Sequence, residues 1–124
     1  MPNPQLHPAL AAAFEQRGYT ELTPVQSAVI AEEAHGRDLI VSSKTGSGKT
    51  VAFGAAMAPE LLGDEDARYS RSPLALIIAP TRELAMQVSK ELQWLYADTG
   101  FRVVTCVGGM SLRRRRRTVL AQVA

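Results

Sequence analysis

The sequence predicts an α/β protein in which helices flank a parallel β-sheet. Short apolar runs typical of strands alternate with segments of helical periodicity. The run "LALIIA" (74–79) is continuously apolar, as parallel strands covered on both faces are. A glycine-rich stretch also separates an earlier apolar run from a helix-forming segment. The length of 124 residues allows one domain at most.

Two short helices are predicted in the N-terminal part of the chain. The first is marked by four apolar residues at helical spacing, namely Leu6, Leu10, Ala13 and Phe14. Pro8 suits its first turn and Gly18 its end. In the second helix, within "TPVQSAVIAEEA", Thr23 is the expected N-cap and Pro24 the first helical residue.

A strand, a helix and a loop are predicted in the centre of the chain. The run "DLIVS", which begins at Asp38, is of strand type. A helix is expected from about Lys49 to Leu62, with Pro59 ending or kinking it. The polar stretch "GDEDARYSRSP" then predicts a surface loop before the strand at 74–79.

The C-terminal half is expected to contain two helices around a third strand. The first of these helices is indicated by an apolar face that comprises Leu84, Val88, Leu92 and Leu95. The run "FRVVTCV" (101–107) predicts the strand. The final stretch, "SLRRRRRTVLAQVA" (111–124), predicts the last helix, with an apolar stripe that includes Leu112, Val119 and Val123.

Composition excludes several classes of protein. No apolar run approaches the ~20 residues that a membrane-spanning helix needs, so no membrane span is expected. The start, "MPNPQLHPAL", lacks the basic and apolar regions of a secretory signal. Cys106 is the only cysteine and cannot form an internal disulfide. A reducing, cytoplasmic location is therefore expected, with Cys106 as a small buried side chain.

Charge is distributed unevenly along the sequence. The formal net charge is +2, but five of the 14 basic residues form one run, Arg113–Arg117. Without that run, 9 basic residues face 12 acidic ones, a net charge of −3. The run indicates either a contact with a polyanion or a solvated basic segment, and the sequence favours neither.

The stretch "SKTGSGKT" (43–50) predicts a loop that binds phosphate groups. Gly46 and Gly48 permit backbone angles that side chains forbid, so that amide N–H groups can converge on an anion. Lys49 would reach the β- and γ-phosphates of a nucleotide, and the Thr50 hydroxyl would ligate Mg²⁺. The expected binding residues are Ser43, Lys44, Thr45, Gly46, Ser47, Gly48, Lys49 and Thr50.

Three further stretches accompany this loop, and together they resemble the DEAD-box family of ATP-dependent RNA helicases. The first, "GYTELTPVQ" (18–26), resembles the family's Q motif. The resemblance implies ATP and Mg²⁺ as cofactors, with Gln26 binding the edge of adenine and Tyr19 packing on the base. Thr23 and Gln26 also have the spacing of a capping box, in which Gln26 would instead bond the start of its helix. The phosphate-binding loop downstream favours adenine recognition.

The other two stretches imply that the chain contacts RNA. "PTRELAMQ" (80–87) resembles motif Ia, in which Pro80, Thr81 and Arg82 would contact the phosphate backbone. The pair Gly108–Gly109 resembles the glycines of motif Ib, where bare backbone can approach RNA closely. The whole chain, 1–124, is then expected to be the N-terminal portion of the first RecA-like domain, with an incomplete P-loop NTPase fold.

The family's acidic site for metal and water is not found in the sequence. Asp64–Ala67 reads Asp-Glu-Asp-Ala, but it follows a predicted helix end rather than a strand and precedes the motif Ia stretch. Glu32 and Glu33 belong to the second predicted helix. Phosphoryl transfer needs such a site, so the isolated chain is expected to bind ATP without hydrolysing it.

Two other functions are also compatible with these residues. A small P-loop kinase or GTPase is an alternative, but it leaves 18–26 and 80–87 without roles. A non-catalytic module that binds RNA or a protein partner is another.

The resemblance also implies that the strands at 38–42 and 74–79 lack neighbours that other family members supply. Open strand edges and apolar faces would make the chain marginally folded or prone to aggregation.

Overall fold

A computed structural model describes residues 6–44, 48–63, 72–106 and 118–123, the last of these as backbone alone. The described helices are α1 (Pro8–Gln16), α2 (Pro24–Ile30), α3 (Lys49–Leu62) and α4 (Arg82–Leu95), with a short 3₁₀ turn at Glu32–Ala34. The described strands are β1 (Ala75–Ala79), β2 (Arg102–Cys106) and β3 (Thr118–Val123).

The three described strands form one parallel sheet in the order β1-β3-β2. Ala75 of β1 is paired with Val119 of β3, which is in turn paired with Val103 of β2. This arrangement confirms the predicted α/β class with a parallel sheet. Because all three strands run the same way, β1 and β2 end at the same edge of the sheet, on either side of β3.

Local sequence signals set the ends of the first three helices. His7 caps α1 by accepting a hydrogen bond from the Ala9 amide at Nδ1, and Gly18 follows the helix with φ at +74°. Thr23 caps α2, as predicted. Pro59 lies inside α3 and does not end it, since the helix extends three residues further, to Leu62.

The core lies between the helices and one face of the sheet. Its largest fully buried side chains are Leu10, Leu92, Leu95 and Tyr96. The helices α3 and α4 approach closely at Gly54, where an added Cβ would lie 2.7 Å from Leu95 Cδ2. The Tyr96 hydroxyl donates a hydrogen bond to the Gly54 carbonyl, and burial raises the pKa of this tyrosine above its usual range. This contact joins the helix that follows the phosphate-binding loop to the helix that follows β1.

The predicted last helix is wrong over residues 118–123, which form strand β3. Both edges of β3 are hydrogen-bonded, to β1 on one side and to β2 on the other. Thr118, Val119 and Val123 are β-branched residues that fit a strand as well as an apolar helical stripe. The two neighbouring strands decide between these alternatives. Residues 111–117 of the prediction lie outside the described residues.

The predicted strand at 38–42 is also absent, since residues 37–44 follow an irregular path in the structure. The Leu39 and Val41 side chains are 44% and 43% exposed, and Ile40 is fully exposed. An isolated strand has no hydrogen-bonded partner and no surface on which to bury its side chains. Among the described strands, none pairs with this segment.

The buried faces of β1 and α4 differ from those that the sequence predicts. Leu76 and Ile78 of β1 are 56% and 64% exposed, while Ile77 between them packs against the core. Helix α4 covers only one face of the sheet in the described part of the chain, so β1 alternates in exposure and is not buried on both faces. On α4, Leu84 lies outside the buried face, at 39% exposed, and Ala85 and Ser89 belong to it.

Candidate nucleotide-binding site

The start of α3 has the backbone geometry of an anion-binding site. Gly48 precedes the helix with φ at +83°, and Lys49 and Thr50 are the first two helical residues. The N-cap residue, Gly48, has no side chain, so the amides of the first turn receive no bond from an N-cap side chain. These amides and the positive end of the helix dipole fit a phosphate group. The predicted binding residues Thr45, Gly46 and Ser47 lie outside the described residues.

The Lys49 side chain reaches from the start of α3 back to the first residue of the phosphate-binding loop. Its ammonium group is exposed to solvent and donates a hydrogen bond of 2.6 Å to the carbonyl oxygen of Ser43, six residues earlier. The contact places a positive charge between the two ends of the loop. An ammonium group has three N–H donors, so it can contact a phosphate oxygen as well. Lys44 is exposed beside Ser43, and Thr50 is half-buried at the second position of α3.

Gln26 connects the second helix to this loop. Its side chain is 6% exposed, and Oε1 accepts a hydrogen bond of 3.0 Å from the Thr23 amide. Thr23 Oγ1 accepts in return from the Gln26 amide, which completes a capping box. The side-chain Nε2 donates to the Gly48 carbonyl at 3.3 Å. The capping role that the sequence left open is therefore present, together with a contact to Gly48 that the sequence does not reveal.

The capping box and the bond to Gly48 together use half of the hydrogen-bonding capacity of the Gln26 side chain. A side-chain amide offers two N–H donors and two acceptor lone pairs, and the contacts to Thr23 and Gly48 use one of each. One donor and one acceptor remain, which is the pair that the edge of adenine requires. Gly48 has no space for a side chain here, because a Cβ would lie 2.5 Å from Gln26 Nε2.

Tyr19 belongs to an aromatic cluster between α1 and α4. Its ring is 47% exposed and contacts Phe14 and Trp94. The sequence predicted Tyr19 as a base-packing residue but gave no role to Trp94. The signal that marks Trp94 is its rarity, since it is the only tryptophan in the chain.

The predicted RNA contacts of motif Ia lie at the end of β1. Pro80, Thr81 and Arg82 are exposed where β1 leads into α4. Thr81 caps the helix, since its Oγ1 accepts a hydrogen bond of 3.1 Å from the Leu84 amide. Its hydroxyl hydrogen is still available as a donor. Gly108 and Gly109 lie outside the described residues, as does the Arg113–Arg117 run.

The ends of β1 and β2 define one edge of the sheet. Ala79 and Cys106 are paired with Val123 and Gln122, which are adjacent residues of β3. With one strand between them, β1 and β2 are two strand spacings apart, about 10 Å. The described strands β1 and β2 therefore end at the same edge, and the glycine pair follows β2 in the sequence.

The acidic side chains of the described residues do not form a metal-binding group. Glu32 and Glu33 lie exposed in the 3₁₀ turn after α2. The stretch Asp64–Ala67 lies outside the described residues. No group of three or more histidine, cysteine or acidic side chains that could hold a metal occurs in 6–44, 48–63 and 72–106. In the same segments, no helix is long and apolar enough to cross a membrane. Cys106 is buried, as predicted.

Comparisons with known proteins agree on one family. The family model described as DEAD/DEAH box helicase matches residues 23–124. The chain is 46% identical over 105 residues to DEAD-box ATP-dependent RNA helicase 3B, chloroplastic, of Zea mays, covering 82% of this chain. It is 39% identical over 119 residues to the ATP-dependent RNA helicase RhlB of Pseudomonas aeruginosa, covering 94% of this chain. The chain spans only 14% of the maize protein and 30% of the bacterial one.

Solved structures show the same relationship. The RNA helicase Prp28 of Chaetomium thermophilum, bound to ADP, is similar with a TM-score of 0.79 and 34% identity. That similarity covers 98% of this chain and 33% of the Prp28 chain. The yeast DEAD-box splicing factor Prp28 also has a TM-score of 0.79, with 26% identity. The fold is thus that of a RecA-like helicase domain, present here in part.

Proposed function

The chain belongs to the DEAD/DEAH box helicase family, and from this premise we propose that it is the ATP- and RNA-binding N-terminal portion of a first RecA-like domain. The proposal extends over residues 1–124. The motifs it rests on are the Q motif at 18–26, the phosphate-binding loop at 43–50, the motif Ia stretch at 80–87 and Gly108–Gly109.

One observation carries the nucleotide-binding part of the proposal. The Gln26 side chain bonds the carbonyl of Gly48, directly before Lys49 and the uncapped start of α3. A group able to bind adenine and a group able to bind phosphate are thus joined by a single hydrogen bond. The related Prp28 structure contains ADP, which supports the same use of these residues here.

The roles of the site residues follow from their chemistry. The loop amides and Lys49 would hold the phosphates, and Gln26 and Tyr19 the base. The Thr50 hydroxyl would ligate Mg²⁺ bound to the nucleotide, and its half-buried place at the second position of α3, directly after Lys49, supports that role. A bound Mg²⁺ would supply charge neutralisation at the phosphates.

RNA is proposed to bind through its backbone. The start of α4 offers the Thr81 hydroxyl and the exposed Pro80–Arg82 backbone beside the positive end of the helix dipole. Gly108–Gly109 are proposed to add contacts of their own. Arg113–Arg117 would supply further phosphate contacts. The location proposed is the cytoplasm, because a single cysteine fits a reducing compartment.

We expect the isolated 124 residues to bind ATP but not to turn it over, because no acidic site for metal and water is recognisable in the sequence. Lys49→Ala should weaken ATP binding by about tenfold to a hundredfold, since charge-assisted hydrogen bonds contribute about 1.5–3 kcal/mol. Isothermal calorimetry of both proteins measures this difference. Equal affinities would overturn nucleotide binding at this loop.

The absence of turnover is checked on the same two proteins. Phosphate release should stay at background for the wild type with and without single-stranded RNA. Repeated turnover by the wild type that is lost in Lys49→Ala would show that the chain does contain a hydrolytic site.

A further inference from the structure

Three aromatic rings form one cluster where the end of α1 meets the C-terminal half of α4. The Tyr19 ring lies 6.0 Å from Phe14 and 5.8 Å from Trp94 between centroids, with planes nearly perpendicular in both pairs. Phe14 and Trp94 contact each other at 6.2 Å, in a tilted arrangement. Every ring therefore touches the other two, with the edge-to-face geometry that aromatic pairs favour in both Tyr19 contacts.

The Trp94 indole is held on several sides. Its Nε1 donates a hydrogen bond of 3.2 Å to the Glu91 carboxylate, one helical turn earlier. The Arg17 guanidinium carbon lies 4.6 Å from the ring centroid, within the range of a cation–π contact. Phe14, beside it, is only 4% exposed. These contacts leave the indole little freedom to change its rotamer.

Tyr19 differs from its two neighbours because it is half open to solvent. Its amide donates to the Phe14 carbonyl at 2.9 Å, which ties its backbone to the end of α1. Four residues further along, Thr23 begins the helix whose Gln26 contacts the phosphate-binding loop. The Tyr19 ring thus stands on the segment that leads to Gln26, with Phe14 and Trp94 against part of its surface and the rest accessible.

We propose that Trp94 is a positioning residue that holds the Tyr19 ring in the orientation in which it receives the adenine base. This inference rests on the proposed function, in which Tyr19 packs on that base. An exposed tyrosine without such a support samples several rotamers, and a ligand must then order the ring when it binds. With Trp94 in place, the ring is ordered before the nucleotide arrives.

The inference separates binding of the base from binding of the phosphates. Trp94→Ala should weaken ATP binding about threefold to tenfold, the range that one ordered aromatic contact contributes. Inorganic tripolyphosphate has no base, so its affinity should not change. Trp94→Phe keeps an aromatic ring and should bind ATP within about twofold of the wild type. Lys90→Ala, an exposed change one turn away on the same helix, is the matched control and should alter neither affinity.

Trp94 also provides a direct optical readout, because it is the only tryptophan in the chain. Adding ATP to the wild type should change Trp94 emission, whereas adding tripolyphosphate should not. Tyr19→Ala should remove the ATP response. This measurement uses the wild-type chain, so it remains informative if Trp94→Ala does not fold.

The possible outcomes distinguish a failure of the Trp94 positioning role from a failure of the proposed ATP binding. Failure of the wild type to bind ATP in calorimetry would overturn both. ATP binding that is equal in wild type and Trp94→Ala would overturn the positioning role alone. So would an equal loss of ATP and tripolyphosphate affinity, which is the pattern of a merely structural residue. An ATP affinity that falls in Trp94→Ala, returns in Trp94→Phe and leaves tripolyphosphate unaffected is the expected result.

Discussion

At the scale of single residues, Gln26 combines two roles that the sequence presents as alternatives. Its Oε1 completes the capping box with Thr23, and its Nε2 reaches the Gly48 carbonyl. Because each side-chain atom still has unused hydrogen-bonding capacity, the cap does not exclude a contact with adenine. The question for Gln26 is therefore what it adds beyond the stability of α2.

A matched pair of variants separates the two roles of Gln26. Both Gln26→Ala and Thr23→Ala remove half of the capping box and should lower the free energy of unfolding by about 1 kcal/mol. Only Gln26→Ala removes the amide available to the base, so it alone should lower the ratio of ATP to GTP affinity, by about tenfold. Calorimetry with both nucleotides measures the ratio. An identical ratio in the two variants would leave Gln26 as a helix cap.

Tyr96 gives the protein a pH-dependent stability at the alkaline end. Burial raises the pKa of its hydroxyl above the value of about 10 for an unfolded tyrosine. The stabilisation from the buried neutral hydroxyl is complete below pH 10 and is lost as pH rises above it, because the unfolded chain then ionises first. Between pH 9 and pH 11, we expect this group alone to lower the unfolding free energy by about 1 kcal/mol.

Two tyrosine variants isolate this effect. Tyr96→Phe should cost about 1 kcal/mol at neutral pH, because the Gly54 carbonyl loses its donor, and should flatten the alkaline decline. Tyr19→Phe changes an exposed tyrosine and should leave the decline intact. Urea titrations at each pH provide the free energies. If Tyr96→Phe declines as steeply as the wild type, ionisation of Tyr96 is not the cause.

At the scale of secondary-structure elements, the start of α4 combines helix capping with the proposed RNA contact. The Thr81 hydroxyl oxygen accepts from the Leu84 amide, and its hydrogen can be given to a phosphate. The two uses involve different parts of one hydroxyl group. As in Gln26, a cap that stabilises the element leaves one hydrogen-bond donor of the capping side chain unused by the cap.

Substitutions at Thr81 should therefore divide stability from RNA binding. Thr81→Ala should lower the unfolding free energy by about 1 kcal/mol and also weaken binding of single-stranded RNA. Thr81→Asp restores the cap through its carboxylate but repels phosphate, so stability should return while RNA binding falls further. Chemical denaturation and fluorescence anisotropy at constant salt measure the two quantities. RNA binding that follows stability in all three proteins would contradict a direct contact.

At the scale of the whole molecule, the described part exposes apolar side chains in two places, on β1 and at Leu39–Val41. Leu76 and Ile78 project from β1 on the face opposite the core, and β1 pairs with a strand on one side only. Leu39–Val41 is a second exposed apolar stretch. A strand edge next to exposed apolar side chains favours association with other chains.

We expect the free chain to self-associate through the exposed edge of β1 and its side chains Leu76 and Ile78. The double variant Leu76→Thr/Ile78→Thr places a β-branched side chain that suits a strand at both positions and should reduce association, with less than about 1 kcal/mol change in stability. Ile77→Thr, between these positions but packed against the core, should destabilise the fold by about 1–3 kcal/mol. Sedimentation velocity at several concentrations measures association. A wild type that remains monomeric at high concentration would contradict the expectation.

The sequence by itself determined the features that depend on local chemistry. The helix cap at Thr23, the start of α3 after Gly48 and the alternation of helix and strand follow from residues close together in the chain, because capping and backbone preferences act over a few residues. The family follows from the order of four short motifs, at 18–26, 43–50, 80–87 and 108–109.

The tertiary structure alone decided the features that depend on distant partners. Residues 118–123 form a strand because β1 and β2 bond both of its edges, whereas 38–42 has the same apolar character and no described neighbour. The contact of Gln26 with Gly48 joins residues 22 positions apart, and the ring contact of Tyr19 with Trp94 joins residues 75 positions apart. Such pairings depend on which surfaces meet in the folded chain, and a local pattern does not contain that information.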